Sequence, residues 1–453
     1  MANDVRNLDM NGVDSDGAAK YESVLEKMFS FLPEAMDELD DLITRYPDFI
    51  LGHIFKAYML AADGRRSTLK DISKRVNDIE HLAGTPNLRE KLHLDALKQW
   101  SENNLKAAID TWQLILSMWP QDILAYRQFQ GQIFWFGQKA RALNLSAQLL
   151  PHWNEDTPGY WMFSSMHGFA LEEMGHYDLA EHFARQALAD NSRDLAAKHT
   201  LAHLYEMQGR TQDGIHFLEN QISTLNQHNA FRGHLWWHLA LFYLEQGDVD
   251  QALALFDKEI YSVPSANYLD IQNGASLLIR LDFLGIDVGE RWSKLVQGVT
   301  EIAGDSSIMF TELHNAMVIA NNPLNSNFNG HIDKVAASPL IRQESEFSIA
   351  TQIMEAIAAY HSKQYQHAAN LITAVKELHY QLGGSHAQQD VLSQYLIMAH
   401  ANLNQWPQVV SLLKLRFMSR ADHGSLNEIQ SKLSQIEQVK SIDALLPHLA
   451  KVE

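Results

Sequence analysis

Cysteine is absent from the 453-residue sequence, which excludes disulfide bonds, thiolate zinc sites, iron–sulfur clusters and cysteine nucleophiles. Any metal site must therefore use histidine and carboxylate ligands. Proline (11 residues) and glycine (23 residues) are scarce, so little interrupts helices. No apolar stretch approaches the roughly 18 residues of a membrane-spanning helix, and residues 1–17 lack the apolar segment of a secretory signal. We expect a cytoplasmic protein with no membrane partner.

Basic residues are also fewer than acidic ones. The chain has 36 Lys and Arg residues against 55 Asp and Glu residues, a net charge of −19. Proteins that bind nucleic acid neutralise phosphates with a positive field, which this composition does not supply in bulk. The charge therefore predicts that nucleic acid is not a partner.

An internal repeat organises the middle of the sequence. A turn residue is followed five positions later by a small residue, and successive copies lie 34, 38, 34 and 38 residues apart. The turn residues are Asn103, Gly137, Gly175, Gly209 and Gly247. In the clearest copy, from Met166 to Leu188, small and large apolar residues alternate at helical spacing. This pattern resembles the tetratricopeptide repeat, a pair of antiparallel helices that buries its apolar face only by stacking on neighbours.

The repeat predicts an all-α fold, a tetratricopeptide-repeat-like right-handed α-solenoid. We expect a disordered tail at 1–17 and a single α-solenoid over 18–453. The clearest repeats lie at 90–260 and further repeats at 345–450. The asparagine-rich stretch 321–330 indicates a soft break within the superhelix.

Histidines cluster in two adjacent copies of the repeat. When Gly209 takes repeat position 15, His199, His203 and Glu206 take positions 5, 9 and 12, which face the concave groove in proteins of this class. Their spacing of four and three residues independently places them on one helix face. His234 and His238 repeat the i, i+4 spacing one copy later. Because adjacent helices lie about 8–10 Å apart, we expect the four imidazoles and Glu206 to share one pocket.

These residues allow catalytic and metal-binding interpretations. As an enzyme, the protein would use His203, Glu206, His199 and His238, with one imidazole as general base and the glutamate orienting it. As a metal site, His199, His203, His234 and His238 are the candidate ligands for zinc or iron. The metalloprotease motif H-E-x-x-H is absent, since Thr200 follows His199.

Other polar and aromatic residues extend the candidate site. Arg280 is suited to hold either an acidic side chain or a bound anion. The candidate ligand-binding residues are His234, Trp237, Asp270, Arg280 and His314.

The segment Gly383-Gly384-Ser385 has the composition of a glycine loop, but no G-K-[ST] follows. We interpret it as a helix end followed by a new helix whose capping box joins Ser385 and Gln388.

Several strings together resemble the tetratricopeptide repeat protein 38 family. They are Gly52-His53, the segment from His199 to Met207, the segment from His234 to Leu241, Arg291-Trp292 and the segment from Leu382 to Val391. The likeness runs from about residue 20 to about residue 440 and implies an all-helical, cytosolic protein. Because Ser385 to Asp390 lie within the family's signature, it also implies that this loop reaches the groove.

Three functions remain open from the sequence. The first is a binding protein whose His- and Glu-lined groove takes a small molecule or a peptide segment. The second is a hydrolase, lyase or isomerase that uses acid–base or metal-assisted chemistry. The third is a structural scaffold in which the polar cluster is a satisfied core network.

Overall fold

The structure, a computed structural model, describes residues 2–82, 85–227, 231–322, 328–337 and 344–419, and most of them are helical. Successive helices pair as hairpins that stack on one another. The main hydrophobic core runs from Met10 to Ala399, and a small second cluster joins Ile397, Val409 and Leu413. The predicted all-α, tetratricopeptide-repeat-like solenoid is confirmed. None of the described helices is both long and apolar enough to cross a membrane.

The helices fall into an N-terminal group, a repeat block and a C-terminal group. The N-terminal group is α1 (Ser15–Phe29), α2 (Ala35–Arg45), α3 (Ile50–Ala61) and α4 (Thr68–Glu80). The repeat block is α5 (Leu88–Ser101), α6 (Leu105–Met118), α7 (Ile123–Trp135), α8 (Lys139–Leu149), α9 (Tyr160–Glu172), α10 (Tyr177–Asp190), α11 (Leu195–Met207), α12 (Thr211–Glu219), α13 (Ile222–Leu225), α14 (Arg232–Gln246), α15 (Val249–Leu255) and α16 (Tyr268–Phe283).

The C-terminal group is α17 (Arg291–Ile302), α18 (Met309–Asn321), α19 (Phe328–Ala336), α20 (Glu344–His361), α21 (Tyr365–Val375), α22 (His386–Asn402) and α23 (Trp406–Ser419). Short 3₁₀ or π turns lie at Leu150–His152, Phe256–Ile260 and His379–Leu382.

The repeat's turn residues all end a helix in the left-handed conformation. Their φ values are +63° at Asn103, +63° at Gly137, +78° at Gly175, +65° at Gly209 and +80° at Gly247. This conformation reverses the chain after the last helical turn, and glycine or asparagine adopts it at little cost. The repeat read from the sequence is therefore a repeat of hairpin turns.

The C-terminal helices return to the middle of the solenoid. Helix α22 packs against α11 and α16 as well as against its neighbours in sequence. Gly137 touches the segment before α22 so closely that a Cβ there would lie 1.9 Å from the carbonyl oxygen of Tyr380. Ser385 caps α22, and the predicted capping box with Gln388 is confirmed. The N-terminal group also contacts the C-terminal group, because Arg66 N donates to Asp305 O at 2.8 Å.

The prediction of a disordered tail at 1–17 is wrong for residues 2–17. Strands β1 (Ala2–Asn3) and β2 (Asp9–Met10) pair there, and α1 begins at Ser15. The buried Arg6 guanidinium donates to Asp4 at 3.2 Å and to both oxygens of Glu22 at 2.8 Å. The four aspartates of this segment, Asp4, Asp9, Asp14 and Asp16, are typical of a solvated tail, but Asp4 instead accepts from the backbone of the turn and from Arg6.

Two predicted boundaries fall partly outside the described residues. Within the expected break at 321–330, helix α18 ends at Asn321 and α19 begins at Phe328, while residues 323–327 are not described. Of the repeats expected at 345–450, the structure describes residues 345–419.

Candidate metal centre and groove cavity

Helix α11 presents two histidines one turn apart towards the inside of the solenoid. Asp194 fixes the start of this helix, because its Oδ1 accepts from the backbone N–H groups of Ala196 at 2.9 Å and Ala197 at 3.0 Å. Burial raises the pKa of Asp194 to about 7. From this start, His199 and His203 lie on the face of α11 that meets α14.

The four imidazoles form one compact cluster. Ring centroids are 4.4 Å apart for His199 and His203, 4.9 Å for His234 and His238, and 4.7 Å for His203 and His238. His199 lies 4.9 Å from His234 across the helix pair. One ligand atom from each ring falls within 4.8 Å of the others. The structure therefore brings together the four histidines that helical spacing had placed on two neighbouring faces.

Oxygen atoms behind the cluster approach the Nδ1 atoms of two rings within hydrogen-bond distance. His238 Nδ1 donates to Glu206 Oε2 at 2.7 Å, and His234 Nδ1 donates to Asn273 Oδ1 at 2.7 Å. Because a carboxylate or amide oxygen accepts, each of these rings carries its proton on Nδ1. Nε2 then keeps its lone pair and is able to bind a metal.

The third ring, His203, faces a pair of buried glutamates. Its Nδ1 lies 3.3 Å from Glu172 Oε2 and 3.7 Å from Glu173 Oε1. Burial raises the pKa of Glu172. Burial also opposes protonation of His203, but the two glutamates outweigh it and raise the pKa of that imidazole. Lys139 Nζ pairs with Glu173 at 2.6 Å, so the lysine compensates one of the two carboxylates.

His199 differs from the other three rings because it borders a cavity. Burial and the neighbouring imidazoles lower its pKa well below the usual value, which keeps this ring neutral. Its Nε2 has no hydrogen-bond partner among the described residues. A cavity of about 200 Å³ lies beside it, lined by His199 and His234 at one end and by Arg127 and aromatic rings elsewhere.

Two of the other predicted site residues pack behind the cluster. Trp237 stacks on His234 with ring centroids 5.1 Å apart and holds the Arg280 guanidinium 5.6 Å above its ring. Arg280 donates to Ser276 and to the carbonyl oxygen of Ala387, and lies 3.8 Å from an oxygen of Asp390. Of the two roles expected for Arg280, the structure shows it holding an acidic side chain and the start of α22.

Asp270 and His314 lie outside the cluster and do not line the cavity beside it. Asp270 accepts from Ser265 Oγ at 2.6 Å. His314 Nδ1 donates to the carbonyl oxygen of Phe310 at 2.8 Å, and burial lowers the pKa of His314 to about 4. Both groups satisfy local backbone or side-chain partners.

Glu172 is a site residue that was not predicted, although the sequence contains a signal for it. Glu172 precedes Gly175 by three residues, as Glu206 precedes Gly209, so the two acids hold the same repeat position. Each acid lies against a histidine of the next repeat, Glu172 against His203 and Glu206 against His238. The repeat register alone was sufficient to pair these acids with the rings.

Comparison with known proteins adds information on the fold alone. No family model matches the chain. The human IFIT1 dimer with m7Gppp-AAAA is 14% identical, with a TM-score of 0.42, over 90% of this chain and 96% of that one. Naa15/Naa10 bound to HypK-THB is 12% identical, with a TM-score of 0.23, over 93% of this chain and 71% of that one. At these identities the similarity concerns the helical architecture and not the site.

The exclusion of nucleic acid in the sequence analysis is corrected by this comparison. IFIT1, a helical-repeat chain, has been solved with m7Gppp-AAAA. Net charge sums over the whole surface, whereas a groove presents only the charges that line it. In this chain an arginine, Arg127, faces the cavity despite the net charge of −19. Net charge is therefore not a valid ground for excluding such a partner.

Proposed function

We propose that this protein is a metal-dependent ligand-binding protein. His203, His234 and His238 bind a divalent transition-metal ion, zinc or iron, with His199 as a fourth ligand at the cavity. The adjoining cavity takes a small ligand. The observation that carries the proposal lies behind the rings. Nδ1 of His234 and Nδ1 of His238 each donate to an oxygen at 2.7 Å, and a carboxylate oxygen of Glu172 lies 3.3 Å from Nδ1 of His203.

This arrangement is the one that metal-bound histidines require. A ligating imidazole commonly donates its other N–H to a carboxylate or amide oxygen, which fixes the tautomer, orients the ring and makes the ligand atom more basic. Glu206 and Asn273 accept in this way from His238 and His234. With Glu172 behind His203, two carboxylates stand behind the rings and match the charge of a divalent ion.

The donor set also fits the ion. Imidazole nitrogens suit zinc, iron, copper and nickel, and a tetrahedral zinc–nitrogen distance of about 2.0–2.1 Å spaces the ligand atoms by about 3.4 Å. Since the four candidate atoms lie within 4.8 Å of one another, rotations that move the rings by about 1 Å would close the site.

The alternative of a satisfied core network is less well supported. Nε2 of His199 and Nε2 of His203 are buried without a hydrogen-bond partner among the described residues. A buried polar atom left unsatisfied costs about 1–3 kcal/mol, and metal coordination of both nitrogens would remove that cost. The orphaned atoms thus support a metal in preference to a purely structural role.

We further propose that the chain belongs to the tetratricopeptide repeat protein 38 family. The strings that carry this resemblance, from His199 to Met207 and from His234 to Leu241, supply all four rings and Glu206. The resemblance and the proposed metal centre therefore depend on the same residues.

Zinc titration of single variants tests the metal centre. We expect His203→Gln and His238→Gln to lose Zn²⁺ binding. His199→Gln should weaken it less, because among the described residues no hydrogen bond joins the His199 ring to an oxygen. The matched control is His167→Gln, which changes a buried histidine that contacts Ser146 Oγ at 2.8 Å outside the cluster. Equal Zn²⁺ affinity in His203→Gln and in the control would refute the proposal, provided that both variants fold by circular dichroism.

A further inference from the structure

We infer that the cavity beside the histidines takes a small aromatic anion, whose carboxylate or phosphate group pairs with Arg127. This inference deepens the proposed function by naming the class of ligand, and it rests on that function for the role of His199 and His234. Its main support is independent of the metal and lies in Arg127 and the aromatic walls.

Arg127 is a cation that faces the cavity, and no counter-ion for it lies among the residues that the structure describes. It lines both the cavity of about 200 Å³ and a neighbouring one of about 230 Å³. Within the described ranges no carboxylate forms an ion pair with it, and its partner is the ring of Phe31, 5.5 Å below the guanidinium. Burial lowers the pKa of Arg127, and the hydroxyl of Tyr268 offsets this in part. A bound anion would supply the negative charge that pairs with the Arg127 guanidinium.

Aromatic rings form most of the cavity wall. Phe31 and Phe231 stack with centroids 4.4 Å apart and an interplanar angle of 14°. Phe231 in turn meets His199 at 5.3 Å, so two rings connect Arg127 to the histidines. The other aromatic lining residues are Phe134, Trp135, Phe169 and Tyr268. Such walls favour a flat aromatic body between them.

The position of Phe31 is held against a backbone preference. Phe31 has a φ of +55°, in the left-handed region that side chains other than glycine and asparagine rarely adopt. Strained residues of this kind persist where the surroundings over-determine them, and they concentrate at ligand sites. Phe31 follows the end of α1 and holds its ring between Arg127 and Phe231.

Three other polar side chains of the lining make hydrogen bonds within the protein. Gln130 donates to the carbonyl oxygen of Met166, and Gln388 donates to Gln272 at 3.1 Å. Ser165 Oγ donates to Asp194 at 3.3 Å. Arg127 is the cation of this lining, so it is the group that pairs with the anionic end of a ligand.

The volume of the cavity matches a ligand of about one ring with a small head group. A cavity of about 150 Å³ in another protein holds benzene, so about 200 Å³ accepts a ring with one carboxylate or phosphate. Benzoate and phenyl phosphate are suitable probes, benzyl alcohol keeps the ring without the charge, and acetate keeps the charge without the ring.

Calorimetric titration of the full chain with these four probes tests the inference, before and after removal of metal with a chelator. We expect benzoate or phenyl phosphate to bind at least about tenfold more tightly than benzyl alcohol or acetate. Arg127→Gln should weaken binding of the anion by about tenfold or more. The comparison of benzoate with phenyl phosphate shows which head group is preferred.

The control is Arg141→Gln, because Arg141 also lies over an aromatic ring, Phe129 at 5.6 Å, but is paired with Asp110. Should Arg127→Gln fail to fold, Arg127→Lys keeps the charge and loses the planar fork, and it should weaken binding of the anion. The inference is wrong if neither anion binds, if benzyl alcohol binds as tightly as the anions, or if the Arg127 variant binds like the control. Anion binding without Zn²⁺ binding would instead refute the proposed metal centre alone.

Discussion

Replacing Glu206 by glutamine separates a metal-binding role of the cluster from a structural one. Glu206 accepts from His238 Nδ1 at 2.7 Å, and both side chains are buried. A glutamine keeps a carbonyl oxygen that can accept the same N–H but removes the negative charge behind the ring. The substitution should therefore weaken metal binding and leave the stability of the metal-free chain nearly unchanged.

The expected effects on metal affinity and on stability follow from comparing the metal-bound chain with the metal-free chain. Loss of a partner behind a metal ligand typically weakens metal affinity by about 10- to 100-fold, or about 1.4–2.7 kcal/mol. Without metal, the substitution removes a buried charge while keeping its acceptor, so the free energy of unfolding should stay within about 1 kcal/mol of the original or rise.

Competition against a chromogenic chelator gives the Zn²⁺ affinity, and urea unfolding in excess chelator gives the stability of the metal-free chain. Glu181→Gln is the control, since Glu181 pairs with Arg185 and Arg210 away from the cluster. If Glu206→Gln binds Zn²⁺ like the control, or loses equal stability with and without metal, the reasoning about Glu206 is refuted.

Three further predictions concern the scaffold. Gly137→Ala should lower the free energy of unfolding, because its Cβ would lie 1.9 Å from Tyr380 O. The loss should exceed the roughly 1–2 kcal/mol that the left-handed conformation costs a residue with a Cβ. An unchanged urea midpoint would contradict this contact. Arg6→Ala should cost about 3–5 kcal/mol, since it leaves buried Glu22 unpaired, and a smaller effect would restore the prediction of a disordered tail. The pKa of Asp194, about 7, lies above its unfolded value of about 3.9, so this group makes stability fall as pH rises from about 4 to 7. Asp194→Asn should flatten that decline, and parallel unfolding profiles at pH 5 and pH 8 would exclude the effect.

Helical spacing was sufficient to predict which histidines come together. The i, i+4 spacing places each histidine pair on one face of α11 or α14. The short distance between stacked helices then brings the two pairs into contact. Glu172 was missed because two adjacent glutamates, Glu172 and Glu173, look like a solvated face. Their burial depends on His203 and Lys139, which belong to other helices.

The residues that line the cavity could not be predicted from the sequence, for a different reason. Phe31, Arg127 and Phe231 are roughly 100 residues apart along the chain, and only the curvature of the whole solenoid brings them together. No pattern at the period of a helix or of the repeat connects such residues. The same holds for α22, whose contact with α11 depends on the number of hairpins between them.

Zinc K-edge X-ray absorption of the Zn²⁺-loaded chain tests the central claim most directly, because it reports the atoms bound to the metal. We expect three to four imidazole nitrogens at about 2.0–2.1 Å, and loss of that signal in the double variant His203→Gln/His238→Gln. A coordination shell made of oxygen alone, or an unchanged imidazole signal in the double variant, would contradict the account.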